Sequence, residues 1–333
     1  MKKFYLSSSL LVIIFLMSCG TPNDPESIIG GDGGYKIVSK FVTSGFAQDV
    51  AVNDTLAFVA QGEGGLMIIN IADPRNPKEL STVAQDLKGY GYKVSNKDSV
   101  VYVAAGAFGV SVVDAANPED PIVTATNLPI KPAKSFDIMD NFLFTAIGEY
   151  GFKISEISYP TQPDPRGETV TPGFAQGLFV TPDKNYLLVA CGEMGFAIYN
   201  ISELQNGWGS YPVLGWVDTP GYAENVVAHP DLPYAFIASG TGGLIIVDYS
   251  DSVDIKIIGS YNTGGYAKEV FYQNNKVYVT TELRGLQIID VSNITSPFLI
   301  GTIETEYALG LTADDKYIYV ADEKEGLIIV SIP

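Results

Sequence analysis

Gly243-Leu244-Ile245-Ile246-Val247-Asp248 decides the fold, because its pattern occurs seven times along the chain. Each copy is a glycine, a run of apolar residues and a closing small or polar residue. The others run from Gly65 to Asn70, Gly109 to Asp114, Gly151 to Glu156, Gly195 to Asn200, Gly285 to Asp290 and Gly326 to Ser331. The leading glycines stand 44, 42, 44, 48, 42 and 41 residues apart. A period in the low forties, built from short strands, is that of a propeller blade.

Around Gly243, the fifth unit reads as four strands. Gly221 to Ala228 is strand A, Tyr234 to Ala238 strand B, Leu244 to Tyr249 strand C and Ile255 to Tyr261 strand D. Each is rich in β-branched or aromatic residues and is bounded by Gly, Pro, Asn or Asp. No stretch has the spacing of a long amphipathic helix. The reading is an all-β protein: a seven-bladed β-propeller of four-stranded antiparallel blades over residues 35–333. The seventh unit offers strands A (Tyr307 to Thr312), B (Tyr317 to Ala321) and C (Leu327 to Ile332), followed only by Pro333. Tyr35 to Val42 matches the D strands of other units, so the N-terminal strand is predicted to complete the last blade. That closes the ring and covers an exposed edge.

Segments such as 243–248, followed by a turn and then Gly265-Tyr266-Ala267, and 285–292, followed by an Asn/Pro turn, resemble LVIVD repeats. The resemblance covers roughly residues 35 to 333. It implies a propeller on a bacterial or archaeal cell-surface protein, often a lipoprotein, and brings no catalytic residues. The third unit departs through Lys153, Ser155 and Glu156, and the fourth through the insertion Gln205-Asn206-Gly207-Trp208-Gly209.

The N-terminus carries an address. Lys2 and Lys3 precede the apolar run Leu10 to Met17, which is too short to span a bilayer and is flanked as a secretory signal is. It leads into Leu16-Met17-Ser18-Cys19-Gly20, which resembles a bacterial lipobox. Residues 1–18 are read as a lipoprotein signal peptide, Cys19 as the lipidated residue and residues 19–34 as a lipid-anchored flexible tether. Two or three acyl chains anchor stably where one does not, and the tether reaches roughly 50 Å when extended. The membrane is thus an expected partner through acylated Cys19. Gly20 and Thr21 lack the aspartate that favours inner-membrane retention, so the expected place is the cell envelope at the outer membrane, periplasmic or surface-exposed. An ordinary secretory signal with an incidental cysteine is the alternative.

The formal net charge of −18 argues against nucleic acid and anionic lipid head groups as partners. Once the signal is removed, Cys191 is the cysteine left beside Cys19, so no intrachain disulfide is expected within the blades. It lies in an apolar strand and reads as a small buried hydrophobe. The single histidine, His229, allows no Ser-His-Asp, Cys-His or His-cage chemistry. No cofactor or metal is expected, and a monomeric propeller suffices.

Candidate binding residues cluster at the D–A junctions. An aromatic stands there in six units, as Phe46, Tyr90, Phe174, Tyr222, Tyr266 and Tyr307, with Pro132 in the third. Two residues on come Gln48, Tyr92, Lys134, Gln176, Glu224, Lys268 and Leu309. Alternation turns both positions to one side of the inner strand. One reading is a ligand-binding ring at the channel mouth; the other is aromatic wedges between blades. The second position varies in charge from blade to blade, which packing does not require, and is the better place for specificity. The B–C loops add Glu63, Glu149, Glu193, Glu282, Asp322, Glu323 and Glu325, without calcium-loop spacing. Solvated turn acids are the favoured reading on so acidic a surface. The residues closing the C strands (Asn70, Asp114, Asn200, Asp248, Asp290) read as turn formers. The expected function is a non-enzymatic protein- or glycan-binding module; the alternative is a carboxylate-dependent hydrolase or lyase in the central funnel.

Overall fold

The computed structural model describes residues 31–126, 128–204, 209 and 211–333. The signal peptide, Cys19, the tether up to residue 30 and the insertion at Gln205 to Trp208 lie outside the described residues. The described chain forms 28 strands in seven four-stranded antiparallel sheets, with no helix among the described residues. The first blade is β2 (Asp49–Asn53), β3 (Leu56–Ala60), β4 (Leu66–Asn70) and β5 (Lys78–Val83), and the same order repeats through six blades. The inner strands are β2, β6 (Lys93–Lys97), β10 (Ser135–Met139), β14 (Gly177–Val180), β18 (Asn225–Ala228), β22 (Glu269–Gln273) and β26 (Ala308–Ala313). Each contacts the inner strand of both neighbouring blades, and β2 meets both β6 and β26, so the ring is continuous.

The repeated apolar run follows from packing on two faces. In β20 (Leu244–Asp248), Ile245 and Val247 join the buried cluster against the fourth blade. Leu244 and Ile246 join the cluster against the sixth. A C strand covered on both faces has no solvent side, so its pattern is continuous rather than alternating. Seven such clusters occur, one between each pair of neighbouring blades. The core is a set of seven interfaces rather than one centre, and each blade depends on its neighbours.

In the seventh sheet β1 (Lys36–Phe41) pairs antiparallel with β28 (Gly326–Ser331), followed inward by β27 (Tyr317–Asp322) and β26. Strand β1 is a D strand in detail. Every other D strand carries one extra residue against its C strand, as at Leu80 between the pairs Ile68–Ser81 and Ile69–Glu79. In β1 the extra residue is Val38, between Ile37–Val330 and Ser39–Ile329. Ser39 Oγ donates to the Pro74 carbonyl of the next blade at 2.6 Å, as Ser81 Oγ does to Pro118 at 2.6 Å.

The polar residues closing the C strands are turn formers. Asn70, Asp114, Asn200, Asp248 and Asp290 each accept, on Oδ1, the N–H two residues on, at 2.8–3.0 Å. Cys191 is fully buried, and burial pushes its thiol up to about 12, so it is inert at neutral pH. His229 sits in an A–B turn, where Nδ1 accepts from the N–H groups of Asp231 and Leu232 at 3.1 Å each.

Candidate functional site

The chain enters each blade at the channel mouth, and short inter-blade bridges fix that entry. Gly62 pairs with Gly91, Gly106 with Ala133, Gly148 with Ala175, Gly192 with Ala223, Gly240 with Ala267 and Glu282 with Ala308. Each bridge ties a B–C loop to the residue between the aromatic and second positions of the next blade. The flanking side chains therefore share one face, as alternation predicts.

The two positions separate in role. All seven second-position residues line a funnel of about 330 Å³, whereas of the six first-position aromatics only Tyr307 reaches it. The rings of Tyr90, Phe174, Tyr222 and Tyr266 lie over Gly62, Gly148, Gly192 and Gly240 of the preceding blade. A Cβ built on any of these glycines would come within 2.7–2.9 Å of the ring. These glycines have φ between +51° and +63°, so two constraints demand Gly there. The third blade has Pro132 in place of the aromatic, and Tyr92 turns back to cover Gly106 instead. Phe46 is 57% exposed on the rim.

The hydroxyls of the packing tyrosines organise the second position. Gln176 Nε2 donates to Tyr222 Oη at 3.0 Å, and Tyr266 Oη donates to Glu224 Oε1 at 2.6 Å. Lys268 Nζ closes on Glu224 Oε2 at 3.0 Å. Burial raises the Tyr266 hydroxyl well above its usual range, and the Glu224 carboxylate reinforces this. Lys134 Nζ lies 5.4 Å from the ring centroids of both Tyr92 and Phe174. Burial holds its ammonium below the usual lysine range, Lys268 adds repulsion and Glu224 opposes it.

The funnel floor is a charged constriction that the sequence reading missed. Lys93 Nζ pairs with Asp49 Oδ1 at 3.1 Å and with Glu269 Oε1 at 2.6 Å, across the first, second and sixth blades. Asp49 Oδ2 also accepts the Val94 N–H at 2.9 Å. Lys93, Ser135, Asn225 and Glu269 line both the funnel and a second cavity of about 290 Å³ on the far side. Burial pushes both carboxylates up, against the attraction of Lys93. Burial pulls Lys93 down, but its two carboxylates outweigh that and hold it above the usual range. Beyond the constriction, Asp137 accepts the N–H of Val180 at 2.6 Å and of Ile138 at 2.8 Å, and burial pushes it up to about 6. The signal was present: these acids follow the second position by one residue or stand two further on, in strands otherwise apolar or neutral.

Among the B–C loop acids, Glu282 and Glu323 line the funnel, while Glu63, Glu149 and Glu193 do not. Asp322 is buried and structural, accepting the N–H groups of Tyr307, Lys324 and Glu325 at 2.6–2.9 Å. Among the described residues no group of three or more His, Cys, Asp or Glu is arranged to hold a metal ion.

Four segments, residues 44–85, 220–263, 264–305 and 307–332, match the LVIVD repeat family. They fall on the first, fifth, sixth and seventh blades, so the second, third and fourth, two of which the sequence reading marked as divergent, lie outside the match. No curated protein matches the chain. Among solved structures, the crystal structure of the computationally designed Ika8 protein is similar in fold. Its TM-score is 0.59 at 11% identity, covering 86% of this chain and 83% of that one. The chain is therefore a seven-bladed, all-β propeller that carries LVIVD repeats.

Proposed function

We propose that this protein is a non-enzymatic binding module whose ligand enters the mouth of the central channel. One observation carries the reading: seven structurally equivalent side chains converge on one funnel, yet comprise two amides, two lysines, a glutamate, a tyrosine and a leucine. Packing asks equivalent positions for equivalent residues, as the aromatics over the glycines show. A ring that departs from the sequence symmetry of its own repeat has the character of a recognition surface. The ligand is a peptide or glycan group small enough for the funnel. The lipobox-like Leu16 to Gly20 supports a lipid anchor at Cys19 and a place in the cell envelope.

The second reading, a carboxylate-dependent hydrolase or lyase, rests on Asp49 and Glu269, both raised by burial. Both are held by Lys93, and Asp49 is 2% exposed and does not line the funnel. That is the arrangement of an internal ion pair, so binding is favoured.

Peptide and glycan arrays probed with the full chain and with a Glu224→Ala plus Lys268→Ala variant test the proposal. Ligands retained by the parent and lost by the variant are expected. Retention unchanged in the variant would contradict it.

A further inference from the structure

In five blades the third residue before the anchor glycine is itself glycine: Gly62, Gly106, Gly148, Gly192 and Gly240. Each is covered by an aromatic ring. In the sixth and seventh blades the residue is Glu282 and Glu323. Glu282 keeps the left-handed backbone at φ +45°, a conformation that suits glycine and strains glutamate. Both side chains reach the funnel. The repeat's packing rule is broken in two adjacent blades, and each break puts a carboxylate at the mouth.

The remaining charges of the funnel are mostly spent. Lys268 pairs with Glu224, and Lys93 with Asp49 and Glu269. Lys134 is not. Among the described residues it has neither an ion pair nor a side-chain hydrogen bond, and it rests between the rings of Tyr92 and Phe174. Those rings attract the cation through their faces but leave its N–H donors unused. Lys134 belongs to the third blade, across the ring from the sixth and seventh that carry Glu282 and Glu323. Around the seven-membered ring, no blade stands farther from the third than these two.

We infer that the funnel binds a zwitterionic ligand, a short free peptide, with its carboxylate on Lys134 and its ammonium on Glu282 and Glu323. The inference deepens the proposed binding function and rests on it. A half-buried ammonium lacking an anion gains most from a carboxylate that supplies both charge and acceptors. Two carboxylates opposite gain from an ammonium. A neutral glycan satisfies neither end, and a purely anionic sugar satisfies one end and meets repulsion at the other. The volume of about 330 Å³ is that of a small-molecule site and limits the ligand to a few residues.

The test is saturation-transfer NMR and calorimetry on the full chain in detergent, with a mixed dipeptide library in free, N-acetylated and C-amidated forms. Neutral and uronic-acid oligosaccharides run beside it. Free dipeptides are expected to bind, with each cap weakening affinity at least tenfold. Lys134→Gln is expected to lower affinity for the free library to that for the amidated one, and Lys134→Arg to restore most of it. Glu282→Gln with Glu323→Gln is expected to lower it to that for the acetylated one. Circular dichroism confirms that these variants fold. Capped and free libraries binding equally, or no library member binding at millimolar concentration, overturns the inference. Oligosaccharides that bind in its place and are lost with Glu224→Ala plus Lys268→Ala leave the broader binding function standing. No ligand in the funnel from any library overturns both.

Discussion

Tyr266 Oη donates to Glu224 Oε1 at 2.6 Å, so a ring that seals one inter-blade junction also fixes a carboxylate of the funnel. The same side chain serves packing through its face, over Gly240, and recognition through its hydroxyl. Removing the hydroxyl alone separates the two. Tyr266→Phe is expected to cost about 1 kcal/mol of stability while freeing Glu224 to change rotamer and weakening ligand binding several-fold. A denaturation midpoint and a binding isotherm on the same sample check it.

Lys93 bridges two carboxylates, the buried Asp49 and the partly buried Glu269. Lys93→Met leaves both unpaired and is expected to destabilise the fold by about 3–5 kcal/mol at pH 8. The loss should shrink toward pH 5, where the orphaned acids protonate. Urea midpoints of the parent and variant at both pH values measure it. An equal loss at each pH would show that the cost is packing rather than charge.

Much of this was legible in the sequence, and the parts that were not share a cause. The anchor glycines and the run Leu244 to Val247 announce the blade because two covered faces favour apolar residues at every position. The second-position ring was legible because alternation carries from Phe46 to Gln48 and from Tyr222 to Glu224. Asp49, Lys93 and Asp137 were not, because their roles lie across blades. Asp49 meets the backbone of β6 and Asp137 that of β14, contacts between residues 43 to 45 apart. The significance of Glu282 and Glu323 needed the structure too, since only the rings over the equivalent glycines show what those positions otherwise do.

Asp137 gives the stability a pH dependence of defined sign. Its folded pKa of about 6 lies above the unfolded value of 3.8, so the native state binds the proton more tightly. Its contribution is present below pH 4 and is lost as pH rises through 6, by about 2 kcal/mol after allowing for its partial exposure. Asp137→Asn is expected to flatten that part of the stability curve between pH 4 and 7. A difference between the two proteins that stays constant over this range would refute the assignment.

Glu282 occupies a backbone conformation that its equivalents reserve for glycine. Glu282→Gly is expected to leave stability unchanged or raise it by about 1 kcal/mol and to weaken binding. Thermal unfolding beside calorimetry decides this. A clear loss of stability would mean that Glu282 holds the junction rather than the ligand.

Strand β1 supplies the outer edge of the seventh blade, pairing residues 286 to 295 positions apart in sequence. Deleting residues 35–41 exposes the edge of β28 and the seam beneath Phe41. Lower melting and concentration-dependent association are expected by calorimetry and sedimentation. An unchanged, monomeric, equally stable protein would contradict the role of this strand.

Site-specific photocrosslinking in intact cells shows whether the ligand sits in the funnel. A photoreactive residue replaces Gln176, on the funnel wall, or Tyr159, 78% exposed on a C–D turn. A discrete adduct from position 176, competed by free dipeptides, and none from position 159 are expected. An adduct from position 159 alone would place recognition on the opposite face of the propeller and rule out the funnel.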